Sequence, residues 1–325
     1  MVKPSYIKLY YSGELATRVE VLKSRLMNCD ICPRKCHVDR MQDKIGFCRS
    51  GYLASVSSYC DHHGEEPALS GSKGSGTIFF TNCNLKCVFC QNHQISQSTD
   101  NNHLDLDSNA LANIMLHLQD ELGCHNINLV SPSHFVPQIV EALLHAIPLG
   151  LNIPLVYNTN AYDSIETLKL LDGIVDIYLP DIKYASDEYA KKYSRAVNYV
   201  SVSQQAISEM HRQVGFLVMD EDGIAQKGLI VRHLILPNRI AGSKTSLRWL
   251  TKCISRQTTV SIMAQYYPSH LAPYEPMLSR SISHEEYNEV VETVEQLGIE
   301  NGWIQEMDSA ALYLPDFESK DHPFK

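Results

Sequence analysis

Three closely spaced cysteines after an apolar run constrain this chain more than any other feature. The run covers residues 76–81, and Cys83, Cys87 and Cys90 follow it with the spacing C-x3-C-x2-C. Thiolates this close in sequence can converge on one metal centre without distant ligands. A closed [4Fe-4S] site normally takes four cysteines, so three would leave one iron open to an outside ligand. The alternatives are a zinc knuckle completed by His93, or three unrelated buried thiols.

Phe89 directly precedes the third cysteine and could place an aromatic ring beside the open iron. With Phe89 in place, the three-cysteine motif (Cys83, Cys87 and Cys90) resembles the signature of the radical S-adenosylmethionine (SAM) enzymes. The resemblance implies that the open iron binds the amino and carboxylate groups of SAM. It also implies reductive cleavage of SAM to methionine and a 5'-deoxyadenosyl radical, with Phe89 beside the adenine. No side chain is assigned to acid or base catalysis.

Length and charge narrow the class of protein. A chain of 325 residues allows one large domain or two modest ones, and 44% hydrophobic residues suit a globular core. The formal net charge of -9 argues against a nucleic-acid or anionic-membrane surface. The sequence contains no apolar run of about 18 residues, and its first residues lack the apolar core of a signal peptide. Ten cysteines therefore predict metal binding in a reducing cytoplasm over disulfides.

A second group of cysteines precedes the motif. This four-cysteine site (Cys29, Cys32, Cys36 and Cys48) has the spacing C-x2-C-x3-C-x11-C. Four thiols within about 20 residues can close a zinc site or hold an iron–sulfur cluster. The basic residues among them, which would lower the cysteine pKa values, are Arg34, Lys35, Arg40 and Arg49. The pattern predicts a second metal site, zinc or iron–sulfur, with reduced thiols in a loop-rich module as the alternative.

The chain is predicted to divide into three parts. Residues 1–70 form a helical arm and a Cys-rich module. Residues 60–67 contain Cys, His and Glu, and they are interpreted as a polar connecting loop in preference to a metal-binding cluster. Glycines and serines near residue 70 mark a turn. Residues 71–268 form the core, and residues 269–325 form a last helix and tail. Ser283 is the predicted N-cap of that helix, with Glu286 three residues on.

Apolar runs and helical patterns alternate through the core. The runs lie near residues 76–81, 126–130, 153–157, 174–179, 229–236 and 258–263. The helical patterns lie near residues 107–122, 133–147, 163–171, 186–212 and 243–255. This alternation is typical of a parallel sheet with crossover helices, and predicts an α/β fold, a partial (β/α)6 barrel. The active site of such a barrel lies at the C-terminal ends of the strands, where the motif begins.

Polar residues follow the next strands and become candidates for cofactor binding. They are Ser131 and Ser133 after strand two, Asn158 at the end of strand three, and Asp181 and Lys183 after strand four. The bland alternatives are helix capping for the serines, turn chemistry for the asparagine, and a surface ion pair for Asp181 and Lys183. Two residues apart, however, Asp181 and Lys183 would point into the same cavity.

On strand five, Arg232 and His233 must face opposite ways. An inward Arg232 could pair with a carboxylate of the cofactor. An inward histidine is more often a satisfied core residue than a base.

The resemblance narrows to the branch related to pyruvate formate-lyase activating enzymes. The features that narrow it are the segments 157–160 and 179–183, the four-cysteine site and residues 64–67. The resemblance implies that residues 131–133 replace a Gly-Gly-Glu segment that holds the SAM amino group. It also implies that Asp181 and Lys183 match a D-x-K pair near the SAM carboxylate. Two departures stand out: the glutamate is missing, and the extra cysteines precede the motif.

The sequence therefore predicts a radical SAM enzyme that abstracts hydrogen from a protein or peptide segment, activase-like, after reduction by a donor such as flavodoxin or ferredoxin. The alternatives are a small-molecule or RNA substrate, or a non-catalytic iron–sulfur or zinc protein. The N-terminal module and the tail after Pro268 could both lie across the barrel mouth. No membrane partner is expected.

Overall fold

The computed structural model describes residues 3–98, 103–307, 314–319 and 323–324. Its strands are β1 (Ala54–His62), β2 (Ser75–Phe80), β3 (Leu104–Leu106), β4 (Ile127–Val130), β5 (Leu155–Thr159), β6 (Ile177–Pro180), β7 (Val218–Met219), β8 (Ala225–Leu234), β9 (Thr259–Met263) and β10 (Gly302–Ile304). Its α-helices are α1 (Ser5–Tyr11), α2 (Glu14–Ser24), α3 (Pro67–Ser70), α4 (His93–Ser96), α5 (Ser108–Asp120), α6 (Val136–Ala146), α7 (Ile165–Leu170), α8 (Asp187–Ser194), α9 (Tyr199–Val214), α10 (Ser243–Cys253) and α11 (His284–Leu297).

Six parallel strands form the middle of one sheet, in the order β9-β8-β6-β5-β4-β2. They coincide with the six predicted apolar runs, except that β8 starts four residues earlier and β6 three residues later. Every residue of β2, β4, β5, β6 and β9 is buried, as expected of strands covered on both faces. The predicted α/β class is confirmed, and the open sheet is consistent with a partial (β/α)6 barrel.

The sheet extends beyond the six predicted strands at both edges. β1 pairs antiparallel with β2 and β3, and β10 lies parallel to β9. Residues 60–62, interpreted from sequence as the start of a loop, are therefore the end of β1, because pairing with β2 satisfies their backbone. β1 lies before residue 70 in the sequence and β2 after it, and both belong to the same sheet. The division of the chain into three parts stays a prediction.

The predicted helix over residues 186–212 is wrong in one respect, since it is two helices. Arg195 and Asn198 both adopt left-handed conformations, with φ of 53° and 54°, and they end α8 and turn the chain into α9. This break gives the backbone of Tyr193 and Ser194 free carbonyls, which accept hydrogen bonds from the amides of Val88 and Lys86 at 2.8 and 3.1 Å. The break therefore positions the loop that carries the motif.

Helices α2 and α11, near the two ends of the chain, both contribute residues to the main core. The N-terminal arm is two helices, and Leu15, Val19 and Leu22 of α2 are buried in the main core. α11 begins with the predicted capping box, in which Ser283 and Glu286 satisfy each other's backbone amides. No helix in the described part of the chain combines the length and apolar character needed to cross a membrane.

Candidate active site

A cavity of about 860 Å³ opens at the C-terminal ends of the parallel strands. All three cysteines of the motif line it, as do Asp181 and Arg232 from neighbouring strands. Parallel strands end at the same edge of a sheet, so residues far apart in sequence meet there. The cysteines, Asp181 and Arg232 therefore come together at the C-terminal ends of the strands, where the sequence predicted the active site.

Each sulfur of the motif has a hydrogen-bond partner from a different segment. Asn160, at the end of β5, donates to Cys83 Sγ at 3.4 Å. Ser194, at the end of α8, donates to Cys87 Sγ at 3.0 Å. Cys90 Sγ and the hydroxyl of a serine in α4 lie 3.3 Å apart. These contacts constrain the orientation of all three sulfurs.

Burial raises the pKa of each thiol of the motif, that of Cys87 to about 11. For Cys87, the charge of Lys183 and the Ser194 hydrogen bond act in the opposite direction. Thiols must lose their protons to ligate iron, so cluster binding releases protons here. The sulfur-bearing residues around the cavity are buried (Cys87) or partly buried (Cys83 and Cys90), and all three sulfurs have hydrogen-bond partners. This arrangement fits the protein side of a three-cysteine cluster.

The zinc-knuckle alternative needed His93 beside the cysteines. Instead the ring of His93 stacks on His270, with centroids 4.9 Å apart, and His93 Nδ1 lies 3.1 Å from the carbonyl oxygen of Cys90. Within the described residues, no three His, Cys, Asp or Glu side chains converge on a position that would hold a single metal ion.

Arg232 points into the cavity and connects three segments. Its guanidinium donates to Asp181 Oδ1 at 2.9 Å, to Glu65 Oε2 at 3.3 Å and to Asn158 Oδ1 at 2.6 Å. His233 faces away, between the carbonyl of Ile182 and Ser243 Oγ, each 2.8 Å from a ring nitrogen. The alternation predicted for strand five is thus seen.

Asp181 and Lys183 form a partly buried ion pair, with Lys183 Nζ 2.6 Å from Asp181 Oδ2. Burial alone would raise the pKa of Asp181, but Lys183 and Arg232 outweigh it, and the pKa lies below its ordinary value. Burial would likewise lower the pKa of Lys183, and Asp181 and Cys87 outweigh it. Both groups are therefore charged at neutral pH, facing the cavity and not the bulk solvent.

Phe89 and the serines have different outcomes. Phe89 is buried at the cavity wall, edge-on to Tyr184 and Tyr266 at 6.3 and 6.0 Å. Ser131 also lines the cavity, in a left-handed conformation with φ of 58°. Ser133 does not reach the cavity. It is buried behind the strand ends, where its hydroxyl lies 3.3 Å from Thr159 Oγ1, because Ser131 turns the chain away. The prediction of a cofactor contact through the Ser133 side chain is therefore corrected.

Sequence reasoning missed two carboxylates, Glu65 and Glu66, between β1 and α3. Glu65 accepts from Asn128 at 3.0 Å and from Arg232, and Glu66 lies at the cavity wall, 8% exposed. Burial raises the pKa of Glu66; Arg232 opposes this, and Glu65 adds to it. The signals were two adjacent acidic residues in a segment interpreted as a connecting loop, and the part that residues 64–67 have in the family resemblance.

The four-cysteine site is also assembled. All four cysteines line one small cavity, separate from the large one, together with Arg34 and Arg40. Burial raises the pKa of Cys32, and the nearby charges of Cys48, Cys29 and Cys36 raise it further. The thiols are therefore neighbours in space, as their spacing predicted.

Comparison with known proteins places these features in a family. A model of the radical SAM superfamily matches residues 77–213, which include the whole motif. An uncharacterized protein of Methanocaldococcus jannaschii is 32% identical over 307 residues, covering 92% of this chain and 81% of that protein. This protein belongs to the radical SAM superfamily.

Solved structures with similar folds include SuiB of Streptococcus suis bound to S-adenosylmethionine, at 12% identity and a TM-score of 0.44. That match covers 70% of this chain, which spans about half (48%) of the length of SuiB. Methylornithine synthase (PylB) matches at 18% identity and a TM-score of 0.43, over 69% of this chain and 61% of that one. Membership of the superfamily makes this protein an enzyme of SAM-dependent radical chemistry, with a [4Fe-4S] cluster and SAM as cofactors.

Proposed function

We propose that this enzyme abstracts hydrogen from a peptide segment, in the manner of the glycyl-radical activating enzymes. The carrying observation is a stretch of the chain's own tail at the cavity mouth. Pro315 and Phe324 line the cavity, and Gln94 holds the backbone between them. Its side-chain oxygen accepts from the Phe317 amide at 3.0 Å, and its nitrogen donates to Asp316 Oδ1 at 3.3 Å. The segment forms a turn at Phe317, and a rim that binds a turn of polypeptide through its backbone and a side chain suits a peptide substrate.

The chain's own residues supply the binding groups for both cofactors in this proposal. The motif cysteines hold the cluster, Phe89 packs on the adenine, and the backbone around Ser131 takes the place of the missing glutamate. Lys183 and Arg232, both cationic, face the side of the cavity where a carboxylate would be favoured. When bound, the cluster and SAM supply the radical chemistry, and the protein orients them and excludes water.

A small-molecule substrate is the second candidate, and the same tail favours it. Pro315 and Phe324 narrow the entrance, and Trp303 of β10 adds an aromatic wall. A folded partner would have to displace these groups before its loop could enter. We propose flavodoxin or ferredoxin as the electron donor in either case.

The test is to incubate the reduced, reconstituted enzyme and SAM with a cell extract separated into large and small fractions. The peptide proposal predicts deoxyadenosine above the uncoupled background with the large fraction, together with a long-lived organic radical on a large partner. Stimulation by the small fraction alone would overturn it. Cys87→Ala protein is the control, because it removes a cluster ligand and should produce no deoxyadenosine with either fraction.

A further inference from the structure

The four-cysteine site is built more tightly than a surface loop requires. The amide of Cys29 donates to the carbonyl of Val38, and the amide of His37 donates to that of Cys29, both at 2.9 Å. Beside them, a Cβ at Gly46 would lie 2.7 and 2.8 Å from the Cβ and Sγ atoms of Cys36. Glycine at this position lets the backbone approach the thiol, as metal-binding loops require.

The walls of the small cavity hold positive charge without an anion to match it. Arg40 is 1% exposed, and its guanidinium donates to the carbonyl oxygens of Gly51 and His134. Within the described residues, no carboxylate pairs with Arg40, and Arg34 Nη2 is buried without a hydrogen-bond partner. The Nε atom of Arg49, which follows Cys48 but does not line this cavity, is also buried without a partner among the described residues. Buried cations and orphaned donors are costly unless an anionic group completes the site. A thiolate-ligated cluster is such a group.

A buried imidazole gives a second, independent indication of an occupant. His134 lines the same cavity and is 1% exposed. Its Nε2 contacts the carbonyl oxygen of Thr81 at 3.0 Å, whereas Nδ1 has no partner among the described residues. Because Nε2 donates to a carbonyl oxygen, Nε2 carries the proton, and Nδ1 keeps a free lone pair. The site therefore offers an unused acceptor as well as unused donors.

Two short connections join this site to the three-cysteine motif. Arg34, two residues after Cys32, donates from Nε to the carbonyl oxygen of Asn84 at 2.9 Å, and Asn84 follows the first cysteine of the motif. Arg49, next to Cys48, donates to the carbonyl oxygen of Ser98 at 2.7 Å, two residues from the serine that contacts Cys90. These hydrogen bonds connect the segments that carry the two cysteine sites.

We propose that Cys29, Cys32, Cys36 and Cys48 bind a second [4Fe-4S] cluster that exchanges an electron with the cluster of the motif. The four cysteines would then hold a group that could relay one electron from a low-potential protein donor to the cluster of the motif. No bond forms or breaks in this step. A single zinc ion fits this site less well, because no three of the described His, Cys, Asp or Glu side chains converge on one metal position. Zinc also has no redox chemistry and could not relay an electron.

Metal content tests the site itself. Anaerobically reconstituted enzyme should hold about eight irons per chain, and a variant with alanine at all three motif cysteines should keep about four, with the Mössbauer spectrum of a [4Fe-4S] cluster. Cys32→Ser and the less buried Cys36→Ser should each lose about four irons from the wild-type content. Cys253→Ser is the matched control, because Cys253 is exposed on α10 and distant in sequence from both sites. One zinc per chain, or unchanged iron in Cys32→Ser, would overturn the proposal.

Magnetic coupling tests the electron exchange. Two reduced clusters close enough to exchange an electron should give a broadened or split EPR spectrum in the wild type. That spectrum should differ from the sum of the spectra of the triple alanine variant and Cys36→Ser. A simple sum would overturn the exchange. Neither measurement involves a substrate, so failure of the peptide proposal leaves both results interpretable.

Discussion

Replacing Arg232 with glutamine removes a cation that connects three segments at the cavity. Arg232 contacts Asp181, Glu65 and Asn158, and its side chain is 16% exposed. Breaking a buried ion pair by removing one partner costs about 3–5 kcal/mol, because the other charge stays buried. Asp181 keeps Lys183, and Glu65 keeps its asparagine partners, so we expect the lower end, about 3 kcal/mol.

The loss should depend on pH, with a sign that the structure sets. The pKa of Asp181 lies below its ordinary value of 3.8 in the folded protein, so its contribution to stability is present above that pH. It is lost as the pH falls through the folded value, because the protonated carboxyl no longer needs a cation. Without Arg232 the folded pKa of Asp181 rises and this contribution shrinks. The difference between wild type and Arg232→Gln should therefore be largest at neutral pH and should narrow below about pH 4.

The assay is urea unfolding followed by far-ultraviolet circular dichroism at a series of pH values. Arg212→Gln is the matched control, since Arg212 also contacts two carboxylates, Asp172 and Glu209, but is 56% exposed. Exposed pairs contribute little, so this variant should unfold close to the wild type. Equal unfolding free energies for wild type and Arg232→Gln at pH 7, or a difference independent of pH, would refute the reasoning.

Two further changes probe the contacts around the site and the fold. Ser194→Ala removes the hydroxyl that donates to Cys87, the middle cysteine of the motif, and should speed the loss of iron to a chelator. Ser201→Ala, at an exposed hydroxyl, is the control and should not change that rate. Equal rates of iron loss in the two variants would contradict the role assigned to Ser194. Glu286→Gln removes a carboxylate whose pKa is lowered to about 2, chiefly by Arg280. The variant should unfold at a lower urea concentration than the wild type at pH 7, and the difference should be smaller at pH 3. The reason is that the contribution of Glu286 to wild-type stability fades as the pH falls from about 4.5 towards 2. Glu285→Gln, at an exposed neighbour, is its control, and an equal effect from both would contradict the buried capping role.

Most of the fold could be read from the sequence because buried parallel strands leave continuous apolar runs. Strands of this kind need no partner information to be recognised. The edge strands could not be found in this way. β10 has only three residues, and β1 ends in the polar residues of 60–62, whose strand character depends on pairing with β2. The break between α8 and α9 was equally hidden, because neither Arg195 nor Asn198 is a glycine or proline that would mark it.

The site was predictable where function depends on spacing and hidden where it depends on tertiary contact. The spacing of the cysteines predicted both the three-cysteine motif and the four-cysteine site. The alternation of side chains along strand five allowed Arg232 to be predicted as a residue that faces the cavity. The partners of the sulfurs could not be predicted, since Asn160 and Ser194 reach them from the end of β5 and the end of α8. Glu65 joined the site for the same reason: its role rests on an arginine 167 residues away.

Backbone strain is concentrated near the cysteines. Among the described residues, left-handed non-glycine conformations include four in and beside the four-cysteine site: Lys35, His37, Asp43 and Arg49, with φ of 42°, 55°, 53° and 62°. Each costs about 1–2 kcal/mol relative to a right-handed conformation. Asn82, directly before the motif, is a fifth, with φ of 65°. Such residues are held in place by the structure around them, and the second cluster proposed above would add an interaction that fixes the thiols.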